Sequence, residues 1–232
     1  MGMNGLGGDV MRTQVDREIV VESGRARLPG MLVVPQGAQG VVMFAHGSGS
    51  GRFSPRNQFV AGVLREAGLG TLLIDLLETR ESDDRAKVFD IDLLSERLMN
   101  ATEWLRAHDE TSTLSIGYFG ASTGAAAALQ AAAALGDEID AIVSRGGRPD
   151  LAMPYLWQVA APTLLIVGGH DYAVIPLNKQ AYDRLACVKE MAIVEGATHL
   201  FEESGALEEV ARLAAEWFGR YLGTANEPTG LA

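Results

Sequence analysis

The sequence predicts an α/β fold with a mostly parallel central sheet and helices on both faces. Short apolar runs alternate with helical patterns from residue 41 onward, and this order builds parallel strands joined by right-handed crossovers. Val41–Ala45 is a continuous apolar run, as expected for a strand buried on both faces. With 232 residues, 47% of them hydrophobic, the chain can form one large core.

The order of the elements follows from these patterns. Strands are predicted at residues 15–21, 26–34, 41–45, 71–76, 114–119, 139–144, 163–167 and 190–194. Helices are predicted at residues 55–67, 91–105, 125–135, 177–185 and 207–221. A turn at residues 22–25 joins the first two strands. Ser54 and Pro55 are typical of a helix start, and Gly68 and Gly136 of helix ends.

Three further segments define the ends of the domain and the entrance to its predicted active site. Residues 77–87 are charged and lack periodicity, so we expect a loop there and no large lid domain. The folded domain is predicted at residues 13–223. Residues 1–12 are expected to form a flexible lead, and residues 224–232 a flexible tail.

Composition excludes several classes of function. The formal net charge is −11 and the sequence pI is about 4.8, so we expect neither nucleic acid nor an anionic membrane as a partner. Cys187 is the only cysteine, which excludes an intrachain disulfide and favours a cytoplasmic location. No signal peptide or membrane span is predicted. His, Cys and carboxylates show no metal spacing, so neither a metal nor a cofactor is expected.

Gly120-Ala121-Ser122-Thr123-Gly124 is the central motif. A predicted strand leads into it, and a helix rich in alanine leaves it. This G-x-S-x-G context is typical of a nucleophile elbow, in which a strained turn exposes the serine hydroxyl at a strand end. The alternative is an ordinary turn that contains a serine.

A serine nucleophile needs a base and an acid that orients the base. Asp171 and His199 follow later strands, so the chain order is Ser, Asp, His, as in α/β-hydrolases. The alternatives are a turn aspartate and a histidine that caps the last helix. His170 is the competing base. Asp75 is the competing acid, although we expect it to brace the site by hydrogen bonding.

Backbone amides are expected to complete the site as an oxyanion hole. Thr123 follows the nucleophile, and Ser48 lies in the glycine-rich turn after the third strand. That turn lacks the Lys of a phosphate loop and the spacing of a dinucleotide-binding motif.

Arginines near the predicted strand ends suggest that the substrate carries an anionic group. Arg52 and Arg145 are the candidate substrate-binding residues, because guanidinium groups bind carboxylates in bidentate fashion. The alternative is that they form ion pairs within the protein, Arg145 with Asp150, and Arg52 or Arg56 with acids of the 77–87 loop.

From about residue 41 to residue 221, the chain resembles the α/β-hydrolase superfamily, in particular its dienelactone-hydrolase-like branch. The resemblance lies in His46–Gly49, Ser54–Asn57, Phe119–Ala125, Arg145–Pro149, Gly168–Asp171 and Ala197–Phe201. Some hydrolase domains of this branch are fused to a phosphoribosyltransferase domain, for which this chain has no room. True dienelactone hydrolases use a cysteine nucleophile where this chain has Ser122.

The resemblance implies a serine hydrolase that cleaves carboxylic esters. Because residues 77–90 leave no room for a large lid, we expect its substrates to be small and soluble. The same residues could serve a thioesterase, a lactonase or an amidase. The alternative outside enzymes is a non-catalytic ligand-binding protein on the hydrolase fold. The sequence does not indicate an oligomeric state.

Overall fold

The computed structural model describes residues 13–223. Its strands are β1 Thr13–Ser23, β2 Ala26–Pro35, β3 Gly40–Ala45, β4 Gly70–Ile74, β5 Ser115–Ala121, β6 Ala141–Arg145, β7 Thr163–Gly168 and β8 Lys189–Val194. Its α-helices are α1 Pro55–Glu66, α2 Arg85–Val88, α3 Ile91–Arg106, α4 Thr123–Leu135, α5 Ile175–Arg184 and α6 Ala206–Tyr221. The predicted lead (1–12) and tail (224–232) lie outside the described residues.

The strands form one eight-stranded sheet in the order β1-β2-β4-β3-β5-β6-β7-β8. β2 pairs antiparallel with β1 and with β4, and the other pairs are parallel. The predicted α/β fold is therefore confirmed. Because β3 to β8 are parallel, the segments that follow them meet at one edge of the sheet, which is where such folds bind ligands.

Helices cover both faces of the sheet. One hydrophobic core contains α3 and α4, and the other contains α1 and α6. Helix α4 lies very close to the sheet at its start. A Cβ at Gly124 would collide with the carbonyl oxygen of Ala45, and one at Gly120 would lie 2.5 Å from Ala125 Cα. Only glycine allows this approach, which fixes the direction of the turn between β5 and α4.

Most predicted boundaries lie within two residues of the observed ones. Ser54 caps α1 as predicted, since its Oγ accepts a hydrogen bond from the Asn57 amide at 3.4 Å. Gly136 ends α4 with φ 57°. Helix α5 starts at Ile175, two residues earlier than predicted, because Pro176 fits the first turn of a helix.

The 77–87 segment contains the start of the short helix α2 and is tied to the core through one buried carboxylate. Glu81 Oε2 accepts a hydrogen bond from Arg97 Nη1 at 2.6 Å, and Lys87 Nζ donates to Glu81 Oε1 at 2.7 Å. The Arg97 contact, more than any other, lowers the pKa of Glu81 to about 2. The alternative that paired Arg52 or Arg56 with acids of this loop is wrong, because Arg52 pairs with Asp75 and Arg56 with Glu202.

Candidate active site

Ser122 occupies a strained turn between β5 and α4. Its φ is 52° and its ψ −122°, in a region that few residues other than glycine adopt. Three backbone hydrogen bonds hold the turn: the Ser122 amide donates to Arg145 O at 3.4 Å, and Ser122 O accepts from the amides of Ala125 at 3.1 Å and Arg148 at 3.0 Å. Gly47 packs against the serine, since a Cβ there would lie 2.8 Å from Ser122 Cβ. The strained turn predicted from the G-x-S-x-G motif is confirmed.

Asp171 and His199 meet at the end of β7 and β8. Nδ1 of His199 lies 2.7 Å from Oδ2 of Asp171, whose side chain is only 9% exposed. This contact leaves Nε2 of His199 as the nitrogen that can exchange a proton with a substrate or nucleophile. His199 does not cap the last helix, because the N-cap residue of α6 is Gly205.

A short segment after β6 connects this pair to the serine. A Cβ at Gly146 would lie 3.6 Å from Cε1 of His199, so the imidazole packs directly over this glycine. The preceding residue is Arg145, whose carbonyl oxygen accepts the hydrogen bond from the Ser122 amide. The structure therefore brings the three predicted catalytic residues to the same edge of the sheet.

The two competing residues are in other environments. His170 is exposed, and its ring centroid lies 5.9 Å from that of Tyr172. Asp75 accepts a hydrogen bond from the Arg52 amide at 2.6 Å and forms an ion pair with the Arg52 guanidinium. Asp75 thus braces the glycine-rich turn after β3, as expected, and does not contact His199.

The two predicted oxyanion-hole residues also lie together. Ser48 and Thr123 line one small cavity, with Leu77, Val88 and Leu94 as its apolar wall. Neither backbone amide donates a hydrogen bond to another part of the described chain. Thr123 is also the first residue of α4, where the helix dipole favours negative charge. The arrangement provides two unused donors next to Ser122.

His46 has a structural role that the sequence did not show. Its side chain is buried, its Nε2 accepts a hydrogen bond from the Leu76 amide at 2.8 Å, and its Nδ1 lies 3.0 Å from Gly47 O. The Leu76 contact requires a neutral Nε2, so Nδ1 carries the proton and donates to Gly47. Burial lowers the pKa of His46, which keeps it in this neutral form.

The arginines near the strand ends differ in their partners. Arg148 forms a bidentate pair with Asp150, so the alternative that paired Arg145 with Asp150 is wrong. The reason is that successive side chains of a strand point to opposite faces of the sheet. Arg145 lies on the same face of β6 as Val143, toward the core that contains Phe201, whereas Arg148 lies in the turn beyond the strand. Arg56 pairs with Glu202 at 3.1 Å.

A cavity of about 420 Å³ opens beside the glycine-rich turn after β3. It is lined by His46, Asp75, Leu77, Thr79, Ser82 and residues 49–56. Within the described range, no cluster of His, Cys, Asp or Glu could hold a metal ion. No helix of residues 13–223 is long and apolar enough to cross a membrane.

Comparisons with known proteins identify the fold family. No protein-family model matches the chain. The chain is 54% identical over 207 residues to a protein of Mycobacterium tuberculosis whose name assigns it provisionally as a phosphoribosyl transferase; the match covers 89% of this chain and 47% of that protein. The chain thus spans about half the length of the curated relatives it matches.

Solved structures give matches over whole chains. The structure of a dienelactone hydrolase from Anabaena variabilis is 54% identical, with a TM-score of 0.87 over 90% of this chain and 99% of that one. An esterase from Pyrococcus furiosus is 18% identical, with a TM-score of 0.73 over 90% of this chain and 94% of that one. The second match shows the fold alone. From the first match, the chain belongs to the dienelactone-hydrolase-like branch of the α/β-hydrolase superfamily.

Proposed function

We propose that this protein is a serine hydrolase that cleaves carboxylic esters of small soluble substrates. The observation that carries the proposal is the 2.7 Å contact between His199 Nδ1 and Asp171 Oδ2. The His199 ring packs on Gly146, and the preceding residue, Arg145, accepts a hydrogen bond from the amide of the strained Ser122 turn. A carboxylate that orients an imidazole, together with a partly exposed serine, forms the arrangement that activates a hydroxyl for acyl transfer.

Each residue has a defined step in the reaction. Nε2 of His199 takes the proton of the Ser122 hydroxyl as Oγ attacks the ester carbonyl carbon. Asp171 holds the imidazole in the required tautomer and stabilises its charge. The amides of Ser48 and Thr123 stabilise the oxygen that becomes negative in the tetrahedral intermediate. The imidazolium then protonates the alcohol as it leaves, and water releases the acid from the acyl-enzyme by the same steps in reverse.

The surroundings favour small substrates. Between β4 and α3, the described chain contains only turns and the four-residue helix α2, which is too short to form a lid over a long acyl chain. The name of the dienelactone hydrolase relative supports an ester or lactone as the substrate. Thioesterase and amidase activities use the same residues and remain alternatives within the proposal.

Probe labelling and ester hydrolysis test the proposal, with Ser122→Ala as the test variant and Ser112→Ala as its control. A fluorophosphonate probe should label wild type and fail to label Ser122→Ala, because only an activated serine reacts. Hydrolysis of short 4-nitrophenyl esters should fall by about 10⁵–10⁶ in Ser122→Ala, with unchanged circular dichroism. Ser112→Ala is the matched control, because Ser112 lies before β5 at the opposite end of that strand, and it should behave as wild type.

The outcomes separate the alternatives. If the probe labels wild type but the enzyme cleaves thioesters or amides faster than esters, the proposed catalytic residues stand and the proposed substrate class is wrong. If wild type is neither labelled nor hydrolytic, the protein is a ligand-binding member of the fold and the proposal is wrong.

A further inference from the structure

Arg145 is a buried cation that has no counter-ion among residues 13–223. The residue is only 8% exposed, and its side chain makes no hydrogen bond or ion pair with the described residues. Its Nε atom is fully enclosed without an acceptor. Isolated charges are expensive to bury, and proteins therefore pair them or satisfy them with a ligand.

A second guanidinium contacts the same turn as the first, since Arg56 pairs with Glu202, which directly follows the Phe201 ring that Arg145 packs over. Burial, together with the nearby charge of Arg56, lowers the pKa of Arg145 to about 10, so Arg145 remains charged at neutral pH. Arg56, in the first turn of α1, also has an enclosed Nε without an acceptor. Its one anionic partner among the described residues is Glu202, whose side chain is 64% exposed. Among the described residues, one solvated carboxylate is thus the only anionic partner of these two guanidiniums, and it contacts Arg56 alone.

The other arginines at this edge of the sheet are neutralised. Arg52 is paired with Asp75, and Arg148 forms two hydrogen bonds of 2.8 Å with Asp150. The excess positive charge is therefore local to Arg145 and Arg56. Arg56 replaces Arg52 as the second candidate anion-binding residue, beside Arg145.

The pair adjoins the candidate catalytic residues. The carbonyl oxygen of Arg145 accepts the Ser122 amide, and the Arg145 guanidinium lies 5.9 Å from the ring of Phe201, in the turn that carries His199. Arg56 also lines the 420 Å³ cavity. A group bound between the two guanidiniums would lie next to the reaction centre.

We propose that Arg145 and Arg56 form a binding site for one oxyanion, a carboxylate or a phosphate. Planar guanidinium forks match the geometry of both groups. The oxyanion comes either from the substrate itself, as a charged group near the ester, or from a free anion in solution. Binding does not depend on catalysis, whereas the choice of source rests on the proposed esterase function.

Thermal unfolding tests the site itself. Sodium glutarate and sodium phosphate should raise the Tm of wild type above its value in sodium chloride at equal ionic strength. Arg145→Met should abolish this rise. In chloride alone, its Tm should equal or exceed that of wild type, since it removes an unpaired buried charge. Arg148→Met is the matched control and should keep the rise, because its charge is already paired. An equal rise in wild type and Arg145→Met would overturn the site.

Kinetics identify the source of the oxyanion. A 4-nitrophenyl glutarate monoester carries a free carboxylate, and its methylated counterpart does not. If the substrate supplies the oxyanion, wild type should prefer the acidic ester in kcat/KM. Arg145→Met and Arg56→Met should each reduce that preference, the ratio of kcat/KM for the acidic ester to kcat/KM for the neutral ester, by about 10- to 100-fold. If a free anion is the ligand, phosphate should change the cleavage of both esters alike in wild type and not in Arg145→Met.

Further variants keep the test decisive. Arg145→Lys retains the charge without the fork and should give a smaller rise in Tm. Arg56→Met changes a partly exposed residue of α1 and remains informative if the Arg145 variants do not fold. Hydrolysis of the neutral ester that persists in Ser122→Ala would overturn the proposed function and leave the anion site standing. No rise in Tm together with equal rates on both esters would overturn the anion site alone.

Discussion

The buried His46 imidazole joins the ends of β3 and β4, because its Nε2 accepts a hydrogen bond from the Leu76 amide at 2.8 Å. Its Nδ1 is bound to Gly47 O in the same turn that carries Ser48. The position of one candidate oxyanion-hole donor therefore depends on the buried His46 side chain. His46 is a positioning residue for that turn.

Replacement of His46 tests this role. His46→Phe removes the acceptor of the Leu76 amide and leaves a buried donor unpaired, which should cost about 1–3 kcal/mol in the free energy of unfolding. The loosened turn should lower kcat by about 10²-fold, the range known for loss of an oxyanion donor, with a smaller effect on KM. His108→Phe is the control. His108 stacks on Trp104 at the end of α3, and its loss should leave kcat unchanged. Normal kcat in His46→Phe would show that the turn does not need the imidazole.

The same residue should make stability depend on pH. Burial lowers the pKa of His46 in the folded state, so below its ordinary value of 6.5 the unfolded chain binds a proton that the folded chain does not. Stability contributed by the neutral imidazole is therefore present above pH 6.5 and declines as the pH falls below it. Urea denaturation from pH 8 to pH 5 should show a smaller decline in His46→Phe than in wild type.

Glu81 should govern stability at lower pH. Its folded-state pKa of about 2 lies below the ordinary 4.5, so its contribution is present above pH 4.5 and is lost as the pH falls toward 2. Glu81→Gln should destabilise the protein at pH 7 by about 3–5 kcal/mol, because it leaves buried Arg97 without its partner. The variant should also be less sensitive to acid between pH 4.5 and pH 2. Glu96→Gln, an exposed change on α3, should alter neither quantity.

Two glycines should respond to alanine in opposite directions. Gly124→Ala would force a Cβ into the carbonyl oxygen of Ala45, so we expect loss of several kcal/mol of stability and of activity. Gly62 lies in α1, where the nearest atom to a new Cβ is 3.9 Å away, on the flexible side chain of Arg65. Gly62→Ala should therefore stabilise the protein by about 0.4–1 kcal/mol. Chemical denaturation measures both changes, and equal effects would contradict the close packing of α4 on β3.

The acid of the proposed mechanism can be tested without changing the shape of the site. Asp171→Asn should reduce kcat by about 10⁴-fold, because the amide cannot stabilise the imidazolium and favours the wrong tautomer of His199. Asp183→Asn, on the exposed side of α5, is the matched control. Activity within tenfold of wild type in Asp171→Asn would remove that residue from the mechanism.

Contacts between residues distant in sequence account for what the sequence analysis missed. The Arg52–Asp75 and Arg97–Glu81 ion pairs join residues 23 and 16 positions apart, and hydrophobic periodicity does not indicate which pairs meet. The Arg145–Asp150 pair, the alternative to substrate binding, would join residues close in sequence. It failed because Arg145 still follows the alternation of β6 and lies on the face opposite to Ser144, toward Phe201.

The sequence by itself determined the fold class, the strand order along the chain and the turn at Ser122. These features depend on local patterns: continuous apolar runs, alanines that let α4 lie close to the sheet, and glycines where a Cβ would collide. Only the tertiary structure decided that Nδ1 of His199 meets Asp171 and that His46 accepts a hydrogen bond from the Leu76 amide. It also decided that Arg145 is buried with no hydrogen-bonding partner in the described part of the chain. Those facts depend on side-chain direction and on distances across the sheet, which are set only when all the layers pack together.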